Sequence, residues 1–148
     1  MNEIEKMWYE YQMINPSAKK YQAWSFGVES NLLANLVLTG KKTATSSAYD
    51  LYLVEGEQLP QVGTYHIILN AFEKPICIIK IIKVYVEKFK NISSHHAYKE
   101  GEGDLSLTYW KKVHQQFFEN ELSTIERKFS EDLQVVCEEF ECVYPKRL

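Results

Sequence analysis

Apolar positions along the 148-residue chain change their spacing several times, and each change marks an element. Ile4, Met7, Trp8, Tyr11 and Ile14 recur at helical intervals and stop at Asn15-Pro16, which predicts an amphipathic first helix within residues 1–16. Residues 17–27 show no period and read as irregular. NLLANLVLTG restores the helical spacing, with Leu32, Leu33, Leu36 and Val37 turned inward and Gly40 as the stop. KKTATSSA reads as a short strand, and YDLYLVEGEQLPQVG as a brief apolar patch followed by turns. TYHIILN and the β-branched PICIIKIIKVYVEKF predict a pair of strands joined through Asn70 to Pro75, with a bulge or bend in the second. Ser93 or Ser94 is placed to cap a short helix through HHAYKE. After GEGD, the series Leu107, Trp110, His114, Phe117 and Phe118 predicts a helix of about four turns. A further helical stretch is expected at Thr124–Asp132, and QVVCEEFECVY as a closing strand. Strands and helices mix without a βαβα rhythm, which favours an α+β domain with a mainly antiparallel sheet or small barrel.

Composition narrows this further. The hydrophobic share of 45% and charged share of 25% are those of a globular protein, and the length suits one domain over 1–148. A net charge of −3 argues against a coat for long duplex nucleic acid, while leaving room for a local basic groove. Lysines at 74, 80, 83, 88 and 90, against eight acids between Glu119 and Glu141, predict two oppositely charged faces. Cys77, Cys137 and Cys142 form no close pair, so neither a disulfide framework nor a zinc ribbon is expected, and no cofactor is implied. The acidic, amphipathic N-terminus is no signal peptide, and no apolar run reaches the roughly 20 residues of a membrane span. A cytoplasmic protein is expected.

Three groups of residues can carry chemistry. Gly40 to Ser47 places Lys41, Lys42 and four hydroxyls, Thr45 and Ser47 among them, in eight positions. Such a set binds an anion or a polar ligand edge, or it is a solvated turn and edge strand. It is not a phosphate-binding loop, because the glycine-rich lead is missing. Glu100-Gly101-Glu102-Gly103-Asp104 alternates carboxylates with glycines, so its acids can converge on a ligand or stand on a surface loop with Asp104 capping the next helix. Trp110 and His114, four apart on one helical face, either line a pocket or belong to a core stripe. His66, His95 and His96 show no partner and receive no role.

LANLVLTGKKTATSS resembles the signature of the ASCH domain family, a branch of the PUA-like superfamily. The likeness continues through LPQVG, the strand pair and HAYKEGEGDLSLTYWKKVHQQFF, and covers about residues 24–143. The second motif is similar to a bacterial subgroup that reads roughly EGEGD-x-SL-x-x-W-[RK]-x-x-H-x-x-FF, with Lys111 where many relatives have Arg. The resemblance implies a PUA-like pseudo-barrel with mixed or antiparallel strands, flanked by helices, and a cleft that takes RNA or a nucleoside- or nucleotide-like ligand. Some members are small amidohydrolases that deacetylate a modified cytidine with a Lys, a Thr and a Glu. Those fall on Lys42, Thr45 and Glu100, with Glu102 as a second candidate for the carboxylate. Another member looks like a ribonuclease. The implied ligand-binding positions are Lys41, Ser47, Glu102, Asp104, Trp110 and His114, with Trp110 as a stacking surface; no metal ligands are implied. The first helix lies outside the likeness and offers a surface for a homodimer or another protein contact.

Overall fold

The computed structural model describes residues 1–146. It contains α1 (Glu3–Ile14), β1 (Tyr21–Ser25), α2 (Ser30–Leu38), β2 (Ala44–Ala48), α3 (Tyr49–Glu55), β3 (Tyr65–Leu69), β4 (Pro75–Lys88), α4 (Ser94–Glu100), α5 (Leu107–Ser123) and β5 (Gln134–Tyr144). The strands are hydrogen-bonded in the order β1-β3-β4-β5-β2, with β1 parallel to β3 and the β3/β4 and β2/β5 pairs antiparallel. This is an α+β fold on a mixed sheet, of the kind expected. The chain divides into two compact units, and β4 and β5 each contribute to both.

The first unit takes, of the described residues, 1–43, 62–82 and 140–146. Residues of β3 point alternately to two cores, which is why its sequence is apolar at nearly every position. Ile67 and Leu69 meet Trp8 and Tyr11 of α1. Ile68 meets Leu33, Ala34 and Val37 of α2, together with Phe26, Cys77, Ile79 and Phe140. Helix α1 starts at Asn2, whose side chain accepts the Glu5 amide at 2.8 Å. The expected irregularity in the strand pair is real and falls at Ile68/Leu69 opposite the start of β4.

The second unit, residues 44–61 and 83–139, packs Ala48, Ala97, Trp110, Phe118, Leu122, Val135 and Cys137 around Phe89. In β2, Ser46 lies opposite Cys137 of β5 and Thr45 opposite Glu138.

Several expectations need correction. Residues 17–27 include the strand β1, whose partner β3 is distant in sequence. YDLYLVE is a helix, α3, with no buried residue; its apolar pattern is too short for a period to show. Leu32 is exposed and Ala34 buried in its place, so the inward stripe of α2 is shifted in phase. No helix forms at Thr124–Asp132. The Ser123 and Thr124 hydroxyls donate to the carbonyls of Asn120 and Glu121, ending α5. Beyond that end, the carbonyls of Glu131 and Leu133 accept the amides of Lys90 and Phe89. The basic and acidic stretches do not make separate faces in this unit: Lys83 pairs with Glu139 at 3.9 Å, and Lys90 with Asp132 at 2.9 Å. Cys77 and Cys137 are buried, as expected of core residues. Among the described residues no helix is long and apolar enough to cross a membrane.

Candidate functional site

In the second unit a short helix, a glycine-bearing loop and a longer helix bring a buried carboxylate under two aromatic rings. Ser93 caps α4 by accepting the His96 amide at 3.0 Å, and Gly101 ends the helix in the left-handed conformation. Glu100, the last helical residue, is 1% exposed.

Oxygen Oε2 of Glu100 accepts three hydrogen bonds: from Ser46 Oγ at 2.6 Å, Trp110 Nε1 at 2.5 Å and His96 Nε2 at 3.1 Å. A carboxyl group taking three donors on one oxygen is in its ionised form. Ser46 Oγ also lies 2.7 Å from His96 Nε2, and the Tyr85 hydroxyl lies 3.4 Å from His96 Nδ1. Ser46 donates to Glu100, and the His96 Nε2–H lies between Glu100 and Ser46. Burial raises the Tyr85 pKa, which keeps that hydroxyl protonated.

His114 stacks on Trp110 with ring centres 4.2 Å apart and planes 12° apart. Its Nδ1–H donates to the Trp110 carbonyl at 3.0 Å, and its Nε2 lies 3.4 Å from Oε1 of Glu100. Glu102 follows Gly101 on the loop, half-buried. An oxygen of Glu102, one of Glu100 and a nitrogen of His114 all lie within 4.8 Å of one another. Among the described residues these three side chains are the group close enough together to be candidate metal ligands.

The other candidate residues are distributed as follows. Lys41 is exposed, and the Lys41 and Lys42 amides both bond the Leu36 carbonyl at 3.0 Å, closing α2. Lys42 belongs to the first unit; it is 1% exposed, with its ammonium 5.4 Å from the centre of the Phe26 ring. Thr45 and Ser47 share the face of β2 opposite to Ser46, and Ser47 Oγ lies 2.8 Å from the Tyr52 hydroxyl. Asp104 is exposed and does not cap α5. The cap is Ser106, which accepts the Tyr109 amide, while Asp104 holds that serine through its amide and hydroxyl at 2.9 and 2.6 Å. Those two bonds keep the Asp104 carboxyl below its ordinary pKa. Trp110 is 2% exposed and lies between His114 and Phe89, so its rings stack inside the protein and its polar contribution is the N–H on Glu100.

The sequence reading passed over Ser46, His96 and Tyr85. His96 and Glu100 stand four apart on one short helix, and that spacing was the available signal.

An ASCH domain model matches residues 22–144. An ASCH domain from Lactobacillus crispatus JV V101 is 33% identical, with a TM-score of 0.88, over 95% of this chain and 93% of its own. A protein from Enterococcus faecalis V583 is 35% identical, with a TM-score of 0.88, over 95% of this chain and 88% of its own. An ASCH protein variant from Zymomonas mobilis is 12% identical at a TM-score of 0.55, over 88% and 76% of the two chains, and shares the fold alone. No curated protein sequence matches the chain. The matched span and the two close structures agree with the PUA-like α+β architecture built above, and the chain belongs to the ASCH domain family.

Proposed function

We propose that the Glu100 site of this ASCH domain binds the polar edge of an RNA base or of a nucleoside- or nucleotide-like ligand. The observation that carries the reading is a nearly fully buried carboxylate with one oxygen locked by three donors. Burying a charge costs several kcal/mol unless its partners compensate, and stability alone is better served by an apolar replacement. Such groups concentrate where function needs them. The site is rich in acceptors: the carboxylates of Glu100 and Glu102 stand together beside the His114 ring. Acceptors select donors, and the exocyclic amino groups of cytosine, adenine and guanine are donors of the right size.

The ligand is sought by thermal shift of the whole chain with nucleosides, nucleotides, acylated cytidines and short single-stranded RNAs. A ligand that binds only the native state raises the melting temperature. Amino-bearing bases should raise it, uridine should not, and Glu102→Gln should weaken the shift. Equal shifts with uridine and cytidine would refute base-edge recognition.

A second reading is an amidohydrolase acting on an acylated cytidine, with Lys42, Thr45 and Glu100 as its residues. The burial of the Lys42 side chain favours it, because a lysine removed from water is the form used in catalysis. Release of the acyl group, lost in Lys42→Ala and Thr45→Ala, supports this reading; binding of an acylated cytidine without release removes it.

A further inference from the structure

We infer that Cys77 and Cys142 are a redox-active pair, joined reversibly by a disulfide when a peroxide reaches the protein. The inference concerns the first unit and does not depend on what the Glu100 site binds.

The two residues are far apart in sequence and meet through the sheet. Cys77 lies near the start of β4 and Cys142 near the end of β5, and these strands are hydrogen-bonded to one another. Both residues belong to the first unit. Cys77 is part of the core formed with Ile68, Ile79 and Phe140, and Cys142 packs against that same core. Phe140 and Cys142 are two apart on β5, so they share a face of the strand. Opposed side chains on neighbouring strands have Cβ atoms about 4.5–5.5 Å apart, and a disulfide asks for about 3.5–4.5 Å. The approach required is small.

Hydrogen bonding puts the two sulfurs against each other. The Cys142 thiol donates to the carbonyls of Tyr144 at 3.7 Å and Pro145 at 3.8 Å, which leaves its sulfur as an acceptor. The Cys77 thiol bonds to that sulfur, and this contact, together with burial, pushes the Cys77 pKa up. Cys137, also on β5, packs in the core of the second unit instead.

Exposure divides the labour. Cys77 is 0% exposed and Cys142 half-buried, so a peroxide meets Cys142 first. The Cys142 thiolate attacks the peroxide: an S–O bond forms, the O–O bond breaks, and an alcohol or water leaves. The sulfur of Cys77 then attacks that of Cys142. The S–S bond forms, the S–O bond breaks, and the hydroxide leaves as water with the Cys77 proton. The two cysteines lose two electrons and the peroxide gains them. Cys77, protonated and shielded from the solvent, is the resolving cysteine.

The test uses the whole chain, reduced and then treated with hydrogen peroxide without denaturant. Its mass should fall by two hydrogens, one thiol of the three in the sequence should remain when counted in denaturant, and digestion should recover the Cys77 and Cys142 peptides joined. The melting temperature should rise by about 5–15 °C, because the bond constrains the unfolded chain over the long loop from residue 77 to 142. A dithiol reductant should reverse both changes. Cys142→Ser should abolish the crosslink, and Cys137→Ser should keep it. In Cys77→Ala the Cys142 sulfenic acid should persist and be captured by a dione probe; the peptide map of the natural sequence decides the matter even if that variant unfolds. Peroxide that leaves both thiols intact, that oxidises Cys142 to an acid with Cys77 still a thiol, that joins either to Cys137, or that links two chains would in each case overturn the proposal.

Discussion

Replacing Trp110 by Phe isolates the bond that does most to hold Glu100. The indole N–H donates to Oε2 at 2.5 Å inside a site where donor and acceptor residues are 2% and 1% exposed. A hydrogen bond to a charged group contributes about 1.5–3 kcal/mol. The smaller ring also leaves a void of about 40 Å3, which at about 24 cal/mol per Å3 adds about 1 kcal/mol. The sum, about 2.5–4 kcal/mol, should lower the melting temperature by about 5–15 °C for a chain of this length. The carboxylate is not orphaned, because Ser46 and His96 still donate to it. The cavity contribution can be removed by repeating the substitution in Glu100→Gln. There the bond is neutral and worth about 1 kcal/mol, so the Phe substitution should cost about 1 kcal/mol less than in the natural sequence. Urea unfolding of the four proteins, with unchanged m-values, measures this. Equal costs in both backgrounds, within about 0.5 kcal/mol, would show that the indole N–H does not stabilise the charge and would remove the basis for an ionised Glu100.

Three further outcomes are expected. His66 accepts the Trp24 Nε1–H on Nδ1 at 2.9 Å and places Nε2 at 3.0 Å from Thr64 Oγ1, and burial lowers its pKa. With the folded pKa below the unfolded one, the unfolded chain takes up the proton first. The contribution of His66 is therefore full above about pH 6.5 and is lost as pH falls toward the folded value, at up to about 1.4 kcal/mol per pH unit; urea midpoints of His66→Gln should change less between pH 7.5 and 5.5 than those of the natural sequence, and parallel curves would refute this. Gly103 has φ of 60°, and a Cβ there would fall 2.4 Å from the Tyr109 ring; Gly103→Ala should cost about 1–2 kcal/mol in thermal unfolding, since that ring can swing outward but the backbone strain remains. Ser46→Ala should lose about 1.5–3 kcal/mol in the same assay and Thr45→Ala less than about 1 kcal/mol, because only Ser46 donates to the buried carboxylate.

Periodicity made most elements legible, and it failed where local signals were short or where partners were remote. Helix α5 declares itself through Leu107, Trp110, His114 and Phe118, and β3 and β4 through their β-branched runs. Strand β1 does not, because Tyr21 to Ser25 is ordered by pairing with Tyr65 to Leu69, over forty residues away, and no pattern within the segment records that. The segment after Ser123 has helical composition, yet its carbonyls at Glu131 and Leu133 are taken by the backbone of Lys90 and Phe89. Tertiary pairing overrides propensity at both places. The family likeness supplied the fold class that the periods left open between sheet and barrel.

The site was legible in part, and the missing part is its second layer. Glu100, Glu102, Trp110 and His114 were candidates because carboxylates beside glycines and an aromatic pair at helical spacing are visible types. Ser46 and His96 were not, since a serine between Thr45 and Ser47 and one of two adjacent histidines carry no mark of their own. Yet they set Glu100 and Glu102 apart. Glu100 is fixed at a helix end by donors from β2, α4 and α5, whereas Glu102 stands past Gly101 on the loop. The alternation of glutamate and glycine thus sets two carboxylates in different surroundings, and the three donors on Oε2 tell them apart.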